Sequence, residues 1–134
     1  MSVEFLRRRA GIALPVSALN SAQGFGVGDV RALEAFFAWM AEAGLSVLQL
    51  LPLGDLGPGD SCPYAGLSAL GLDALSLIDP LGVPELRGRA VLDGALREAA
   101  PLRRSRRVRF EAARALKRRL LEGAFDSFER TADG

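Results

Sequence analysis

Four aspartates follow one apolar segment of the chain closely enough to suggest carboxylate chemistry. They are Asp55, Asp60, Asp73 and Asp79. Pairs of carboxylates carry out glycoside chemistry, but spacing along a loop does not fix the distance between two side chains. Aspartate is also common in turns, where its carboxylate binds nearby backbone N–H groups. From the residues alone we favour structural roles for all four.

The lack of histidine excludes several other kinds of active site within these residues. A Ser-His-Asp or Cys-His nucleophile needs a histidine, and a zinc site of the usual kind needs several Cys or His ligands. The sequence has no histidine and one cysteine, Cys62. That cysteine has no basic neighbour in sequence that would favour a thiolate, so we interpret it as a small structural residue. We expect no metal, no cofactor and no internal disulfide.

Tyr64 is the remaining candidate for ligand binding. It follows a proline in GDLGPGDSCPYAGLSALG (54–71), a loop whose glycines and prolines favour turns. A tyrosine ring can stack on the apolar face of a sugar while its hydroxyl makes a hydrogen bond, but a tyrosine in a turn can equally pack on its own loop. The residues leave both interpretations open.

The charge and hydropathy of the chain exclude other classes of partner. Among 134 residues, 17 basic and 16 acidic side chains give a formal charge of +1, which favours neither nucleic acid nor an anionic membrane. The arginine cluster RRSRRVRF (103–110) is more typical of a solvated helix start than of an anion-binding patch. No apolar run is long enough to span a membrane. The run Gly11–Leu19 is short and contains Pro15, unlike a signal peptide, so we expect a cytoplasmic protein.

The first half of the chain predicts two strands with a helix between them. The strands are Gly11–Val16 and Ser46–Leu53, and the second is apolar enough to suggest a strand covered on both faces. Asp29 is typical of a helix N-cap and Gly44 of a helix C-terminus. The helix has a stripe of large side chains at Val30, Leu33, Phe36, Phe37 and Met40. Such a βαβ unit has parallel strands, and the loops that follow its strands bind ligands.

Two loops leave the carboxyl ends of these strands, namely 17–28 and 54–70. The first contains GFGVGD (24–29) at the start of the helix, where a phosphate-binding loop could lie. Its glycines do not follow G-x-G-x-x-G, no P-loop lysine follows, and Asp29 would repel a phosphate. We therefore interpret this segment as flexible backbone followed by an N-cap.

The second half of the chain predicts helices. After the short apolar segment Ala74–Gly82, helices are predicted at Val91–Ala99, ending before Pro101, and at Arg104–Arg130. The long helix has a stripe at Val108, Ala112, Leu116, Leu120, Ala124 and Phe128. Two strands leave exposed sheet edges, and a (β/α)8 barrel needs about 250 residues, so we expect an incomplete domain.

Several motifs in a fixed order resemble the start of 4-α-glucanotransferases of the amylomaltase, or disproportionating enzyme, type. They are GIALPVSALNSAQGFGVGDV (11–30) and AFFAWMAEAGLSVLQLLPLGDLGPGDSCPYAGLSALGLD (35–73), with ALKRRLLEGAFDSFER (115–130) resembling the family more loosely. The resemblance implies an α/β fold, an incomplete (β/α)8 TIM barrel of the α-amylase superfamily. Residues 1–82 would be its N-terminal βαβ part with the substrate loop, and residues 83–134 a truncated, mainly helical insertion.

The resemblance also implies an activity. Enzymes of this family transfer α-1,4-glucan segments between maltooligosaccharides by a retaining double displacement, with an aspartate nucleophile and a glutamate acid/base. No position of this sequence corresponds to those acids. We therefore expect the remainder of the barrel, in the same or a separate chain, to supply them, and this chain alone to be inactive. One alternative is a non-catalytic glucan-binding or interaction remnant of the family, and another is an unrelated small α/β protein.

Within the loop, the resemblance assigns substrate binding to three residues. Tyr64 matches the family tyrosine that stacks on the sugar at the cleavage subsite, and Asp60 and Ser61 match the polar pair just before it. The chain departs from the family pattern at Cys62, an extra residue, and at Pro58, where many members have an aromatic residue that contacts glucan.

Overall fold

A computed structural model of the chain describes residues 8–68 and 70–132. Its elements in chain order are strand β1 (Gly11–Leu14), helix α1 (Val30–Glu42), strand β2 (Val47–Leu50), helix α2 (Ala74–Leu77), helix α3 (Ala90–Arg103) and helix α4 (Phe110–Ala132). Single 3-10 turns lie at Val16–Ala18, Pro80–Gly82 and Pro84–Leu86. Residues 1–7, which precede the run Gly11–Leu19 that was compared with a signal peptide, lie outside the described ranges.

The two strands form a parallel pair, which confirms the predicted βαβ unit. Gly11 pairs with Val47 and Leu14 with Leu50, so both strands end at the same edge of the sheet. Each strand is shorter than predicted. In β1 a 3-10 turn follows Pro15, and in β2 the last residue that pairs with β1 is Leu50. The residues of one face are exposed and those of the other are half-buried. The prediction that β2 is covered on both faces is therefore wrong.

Both ends of α1 follow the sequence prediction. The Asp29 carboxylate accepts a hydrogen bond from the Ala32 N–H at 3.2 Å, which caps the first turn. Gly44 has φ +71°, and the N–H groups of Gly44 and Leu45 donate to the carbonyls of Ala41 and Met40, as in a Schellman motif. The stripe is only partly buried: Met40 is covered, whereas Val30 and Phe37 are about half exposed.

The boundaries of α3 and α4 differ from the predictions. Helix α3 continues through Pro101, which lies in its last turn, where a missing N–H removes only one hydrogen bond. Helix α4 begins at Phe110 instead of Arg104, because the Ser105 hydroxyl donates to the Arg107 carbonyl at 2.7 Å and holds a turn before the helix.

The buried face of α4 is shifted from the predicted stripe. Leu116, Leu120 and Ala124 are buried as predicted, but Ala112 and Phe128 are exposed. The positions that complete the buried face are Ala113, Lys117 and Ser127. This face includes two polar residues, so a purely apolar pattern did not find it.

The main hydrophobic core lies between α3 and α4. Its buried members are Phe25, Leu86, Leu92, Ala95, Ala99, Leu116, Leu120 and Ala124. Phe25 is the one contribution to this cluster from the loop after β1, and its side chain is fully buried. The core therefore joins the helical second half of the chain to the βαβ unit through that loop.

Candidate functional site

The loop that follows β2 is closed at its base by backbone pairing. Gly54 pairs with Leu72 and Leu56 with Gly66 in isolated antiparallel bridges. The Leu67 N–H donates to the Asp55 carbonyl at 2.8 Å. The two arms of the loop are thus held together, and its tip projects from the edge where both parallel strands end.

Two consecutive turns form the tip of the loop. The Asp60 N–H donates to the Gly57 carbonyl at 3.1 Å, and Gly59, at φ +80°, is the third residue of that turn, as in a type II turn with proline second. In the next turn the Ala65 N–H donates to the Cys62 carbonyl at 3.0 Å. Tyr64 is the third residue of this second turn.

The structure gives the three predicted binding residues different environments. Tyr64 is 72% exposed. Asp60 is half-buried, and its carboxylate accepts a hydrogen bond from the Cys62 N–H at 2.9 Å. Ser61 is exposed and lines a small cavity of about 40 Å³ with Phe110. The three residues are neighbours on the tip, but Tyr64 does not line that cavity.

A larger cleft of about 570 Å³ lies between the first arm of the loop and α4. Charged side chains line it from both sides, namely Asp55, Asp73, Glu111, Arg114 and Arg118. Pro58 and Gly59 also border this cleft, whereas Asp60, Ser61 and Tyr64 do not.

Arg114 of α4 connects the tip of the loop to its end. One guanidinium nitrogen donates to the Asp60 carbonyl at 2.9 Å, and another donates to the Asp73 carboxylate at 2.6 Å. The side chains of this ion pair are 13% and 9% exposed. The guanidinium also lies 5.9 Å from the centre of the Phe110 ring.

Lys117, the only lysine, lies one turn further along α4 and is completely buried. Its ammonium donates to the carbonyls of Ser76 and Ile78 at 2.9 and 2.8 Å and lies 3.7 Å from the Asp29 carboxylate. Burial raises the pKa of Asp29, with the charge of Lys117 opposing that shift. Burial likewise lowers the pKa of Lys117, with Asp29 opposing it.

Two of the loop aspartates, Asp73 and Asp79, serve mainly as structural groups. Asp73 accepts the Ser76 N–H at 3.2 Å and so caps α2. Asp79 accepts the Leu81 N–H at 3.0 Å and pairs with Arg31 at 3.2 Å. Together with the bond between Asp60 and Cys62, these contacts agree with the structural roles expected for turn aspartates.

The segment GFGVGD is a packed part of the structure. Residues 24–29 are all buried, and a Cβ at Gly28 would overlap the carbonyl oxygens of Val16 and Leu19. The N-cap role of Asp29 is confirmed, and the residues before it are buried. The expectation of flexible backbone is wrong, because these glycines permit close packing.

Sequence reasoning missed the two α4 cations that hold the loop and α1. A lysine within the buried stripe of an amphipathic helix was the available signal, since a buried cation needs partners. Arg114 gave no such signal because its partners lie 54 and 41 residues away in the chain.

Residues 8–68 and 70–132 contain no cluster of three or more His, Cys, Asp or Glu side chains that could hold a metal ion. Over the same residues, no helix has the length and apolar character needed to cross a membrane.

Comparison with known proteins identifies relatives of this chain. A family model described as 4-alpha-glucanotransferase matches residues 14–134. A 4-alpha-glucanotransferase of Synechocystis sp. is 34% identical over 123 residues, covering 91% of this chain and 23% of that protein. One from Chlamydia caviae is 29% identical over 107 residues, covering 80% of this chain and 20% of that protein. The chloroplastic/amyloplastic enzyme of Oryza sativa is 40% identical over 72 residues, covering 49% of this chain and 11% of that protein.

The chain therefore spans less than a quarter of the length of these relatives, with 23% the largest share among the three. The α/β content and the parallel strand pair agree with the α-amylase-type barrel that the family implies. Since the family model matches well over half of its residues, the chain belongs to the 4-alpha-glucanotransferase family, glycoside hydrolase family 77.

Proposed function

We propose that these residues form the substrate-loop part of a 4-α-glucanotransferase, an enzyme that transfers α-1,4-glucan segments between maltooligosaccharides. In this proposal β1, α1 and β2 belong to the first two βα units of a (β/α)8 barrel. Residues 1–82 supply the loop, and residues 83–134 are a helical insertion that packs against it. Family membership and the position of the loop after a parallel strand support the proposal.

The exposure of Tyr64 carries the assignment of the loop. The residue is 72% exposed, although the turn that bears it is closed by a backbone hydrogen bond. A tyrosine packed against its own loop would be mostly covered. An exposed ring on a hydrogen-bonded turn is instead available to stack on the apolar face of a glucose unit.

Asp60 and Ser61 complete the proposed contact. The Ser61 hydroxyl is exposed on the same tip and can make hydrogen bonds with sugar hydroxyls. One oxygen of the Asp60 carboxylate accepts the Cys62 N–H, and the other can accept a sugar hydroxyl. A sugar at this tip would therefore meet one aromatic face and two polar side chains.

The catalytic acids lie outside residues 1–134 in this proposal. A retaining transfer needs two carboxyl groups about 5–5.5 Å apart around the scissile bond. Here Asp29 is buried beside Lys117, Asp73 is paired with Arg114, and Asp79 is paired with Arg31. Within the described residues the sheet has two strands, so each has an outer edge with which further strands, in the same or a separate chain, can pair.

A chimera tests the proposal. Residues 14–134 of this chain replace the matching segment of the Synechocystis relative, and disproportionation of maltotriose is measured. We expect the chimera to be active and Tyr64→Ala within it to lower kcat/KM about tenfold, because a stacked ring contributes roughly 1–1.5 kcal/mol. Phe125→Ala, which removes an exposed ring from α4, is the matched control and should leave kcat/KM unchanged. An active chimera that tolerates Tyr64→Ala would remove this ring from the site.

Titration of the 134-residue chain with maltooligosaccharides separates the proposal from a non-catalytic glucan-binding remnant. An inactive chimera together with saturable binding by the chain alone would favour the remnant. Cytoplasmic location and the lack of nucleic-acid partners stay predictions, whereas the rice relative is named as a chloroplastic/amyloplastic protein.

A further inference from the structure

We infer that Arg114 is a positioning residue for the glucan site: it holds the turn that presents Tyr64 and so determines how well the loop binds sugar. The inference rests on the proposed function of the loop. It concerns a residue of the helical second half that holds the loop through the Asp60 backbone carbonyl, and not through the side chains proposed to touch sugar.

The geometry of Arg114 matches two separate points of the loop. One guanidinium nitrogen reaches the Asp60 carbonyl at the tip, at 2.9 Å, and another reaches the Asp73 carboxylate just beyond the loop, at 2.6 Å. A planar guanidinium can bind two acceptors at fixed angles, which a lysine ammonium cannot do as well. Arg114 therefore fixes the tip relative to the end of the loop, and both relative to α4.

A continuous series of hydrogen bonds leads from Arg114 to Tyr64. The guanidinium holds the Asp60 carbonyl, and the Asp60 carboxylate accepts the Cys62 N–H at 2.9 Å. The Cys62 carbonyl in turn accepts the Ala65 N–H at 3.0 Å, which closes the turn around Tyr64. Each hydrogen bond orients a residue that makes the next one. If the bond from Arg114 to Asp60 is lost, the Tyr64 turn is held mainly by the pairing between the two arms of the loop.

The second anchor of Arg114 is itself fixed. The Asp73 N–H donates to the Leu53 carbonyl at 2.9 Å, next to the start of the loop, and the Asp73 carboxylate caps α2. The ion pair is mostly shielded from water, so its attraction is screened less than that of a surface pair. The anchor is therefore a fixed point against which the tip is held.

An ordered loop matters for sugar binding because a mobile ring loses conformational entropy when the ligand stacks on it, and this loss weakens binding. A ring already held in its bound position avoids that entropic loss. We therefore expect loss of Arg114 to weaken binding without removing any group that touches the sugar.

The test compares Arg114→Ala, Arg114→Lys and Arg119→Ala in the 134-residue chain. Arg119→Ala is the matched control, since it removes an arginine and an ion pair with Glu98 from an exposed part of the same helix. Tyr64 is the only tyrosine, so its ring signals in a ¹H–¹³C NMR spectrum report the order of the tip directly, without sugar. Affinity for maltoheptaose is measured on the same samples.

Arg114→Ala should move the Tyr64 ring signals towards random-coil positions and weaken maltoheptaose binding about tenfold, while Arg119→Ala changes neither. Arg114→Lys should restore part of both effects, because an ammonium can reach one of the two acceptors. If Arg114→Ala unfolds the chain, Asp73→Asn replaces it in the test, because this substitution releases the contact with Arg114 and keeps the cap of α2. In this variant only the Tyr64 signals should change, while those of the Trp39 indole stay in place.

The outcomes separate this inference from the proposed function. Maltoheptaose binding that is lost in Tyr64→Ala but unchanged in Arg114→Ala would overturn the positioning role and leave the sugar site standing. Tyr64 signals that respond to Arg114→Ala in a chain that never binds maltoheptaose would support the bracing and contradict sugar binding by the loop alone, and Tyr64→Ala in the chimera would then decide the proposed function.

Discussion

Gly28 has only a hydrogen atom in place of a side chain, and this permits the turn after β1 to pack closely against it. A Cβ at this position would overlap two carbonyl oxygens of the turn after β1, so the backbone has to separate if any side chain is introduced. We expect Gly28→Ala to lower the free energy of unfolding by at least about 2 kcal/mol, within the range for overpacked sites.

The control is Gly123→Ala in the middle of α4, where a Cβ meets nothing within 4 Å. This variant should raise the free energy of unfolding by about 0.5–1 kcal/mol, since alanine favours the helix interior over glycine. Urea unfolding measures both. Equal effects of the two substitutions would contradict close packing at Gly28.

Asp29 gives the stability of the chain a specific pH dependence. Because burial raises its pKa in the folded state, the folded chain takes up a proton at a higher pH than the unfolded chain does. The resulting stabilisation is fully present below the unfolded pKa, about 3.9, and is lost as pH rises through the folded value. Asp29→Asn keeps an N-cap side chain but cannot titrate.

The free energy of unfolding of the wild type, minus that of Asp29→Asn, should therefore increase as pH falls from neutral towards 3.9. Urea titrations across this range measure the difference, with the exposed Asp126→Asn as control. A difference that stays constant with pH, or that shrinks on acidification, would show that the Asp29 pKa is not raised.

At the scale of elements, the ends of α1 were predictable and the ends of α4 were not. Asp29 and Gly44 act on backbone groups within a few residues, so their local signals suffice. The start of α4 depends on a hydroxyl of Ser105 that competes with the helix for backbone groups, and the arginine pattern around it does not reveal that competition. The buried face of α4 was shifted because Lys117 occupies it.

Lys117 connects three elements, and its removal tests how α4 is attached. Lys117→Met keeps the apolar stem but leaves the Asp29 charge and the carbonyls of Ser76 and Ile78 without their cation. Removal of one partner of a buried ion pair costs about 3–5 kcal/mol, so we expect a loss of about 3 kcal/mol in the free energy of unfolding.

Two further variants identify the cause of that loss. Arg119→Met removes an exposed cation from the same helix and should have no measurable effect. The double variant Asp29→Asn with Lys117→Met removes both charges and should be less destabilised than the sum of the single variants. Additive losses would mean that the two charges do not interact.

For the whole molecule, the sequence predicted the βαβ order and the loop but not how the halves of the chain fit together. Hydrogen bonds join α4 to residues 39 to 54 positions earlier and Arg103 of α3 to residues 79 and 83 positions earlier. Apart from Lys117, the side chains that make these bonds have no distinguishing feature in their local sequence. Phe25 enters the core of α3 and α4 from a glycine-rich segment that resembles an exposed loop. Such long-range pairings follow from the tertiary fold, which periodicity does not encode.

The location of the core leads to a prediction about local stability. The buried cluster lies between α3 and α4, whereas one face of the β1–β2 pair is exposed and the other is only half-buried. Opening free energies follow the density of buried apolar contacts, so the strand amides should open more readily than the helix amides. In the 134-residue chain we expect hydrogen exchange to be slowest around Leu116 and Leu120 and much faster in both strands.

In the chimera with the Synechocystis relative, additional strands and helices should cover the open face and pair with the sheet edges. Exchange of the Val47–Leu50 amides should then slow by orders of magnitude, while the amides of α4 change little, because α4 already has its partners. Hydrogen exchange followed by mass spectrometry compares the two proteins segment by segment. Strands that are as protected in the 134-residue chain as in the chimera would mean that the sheet is stable without the rest of a barrel, and the family fold would then not explain its exposed face.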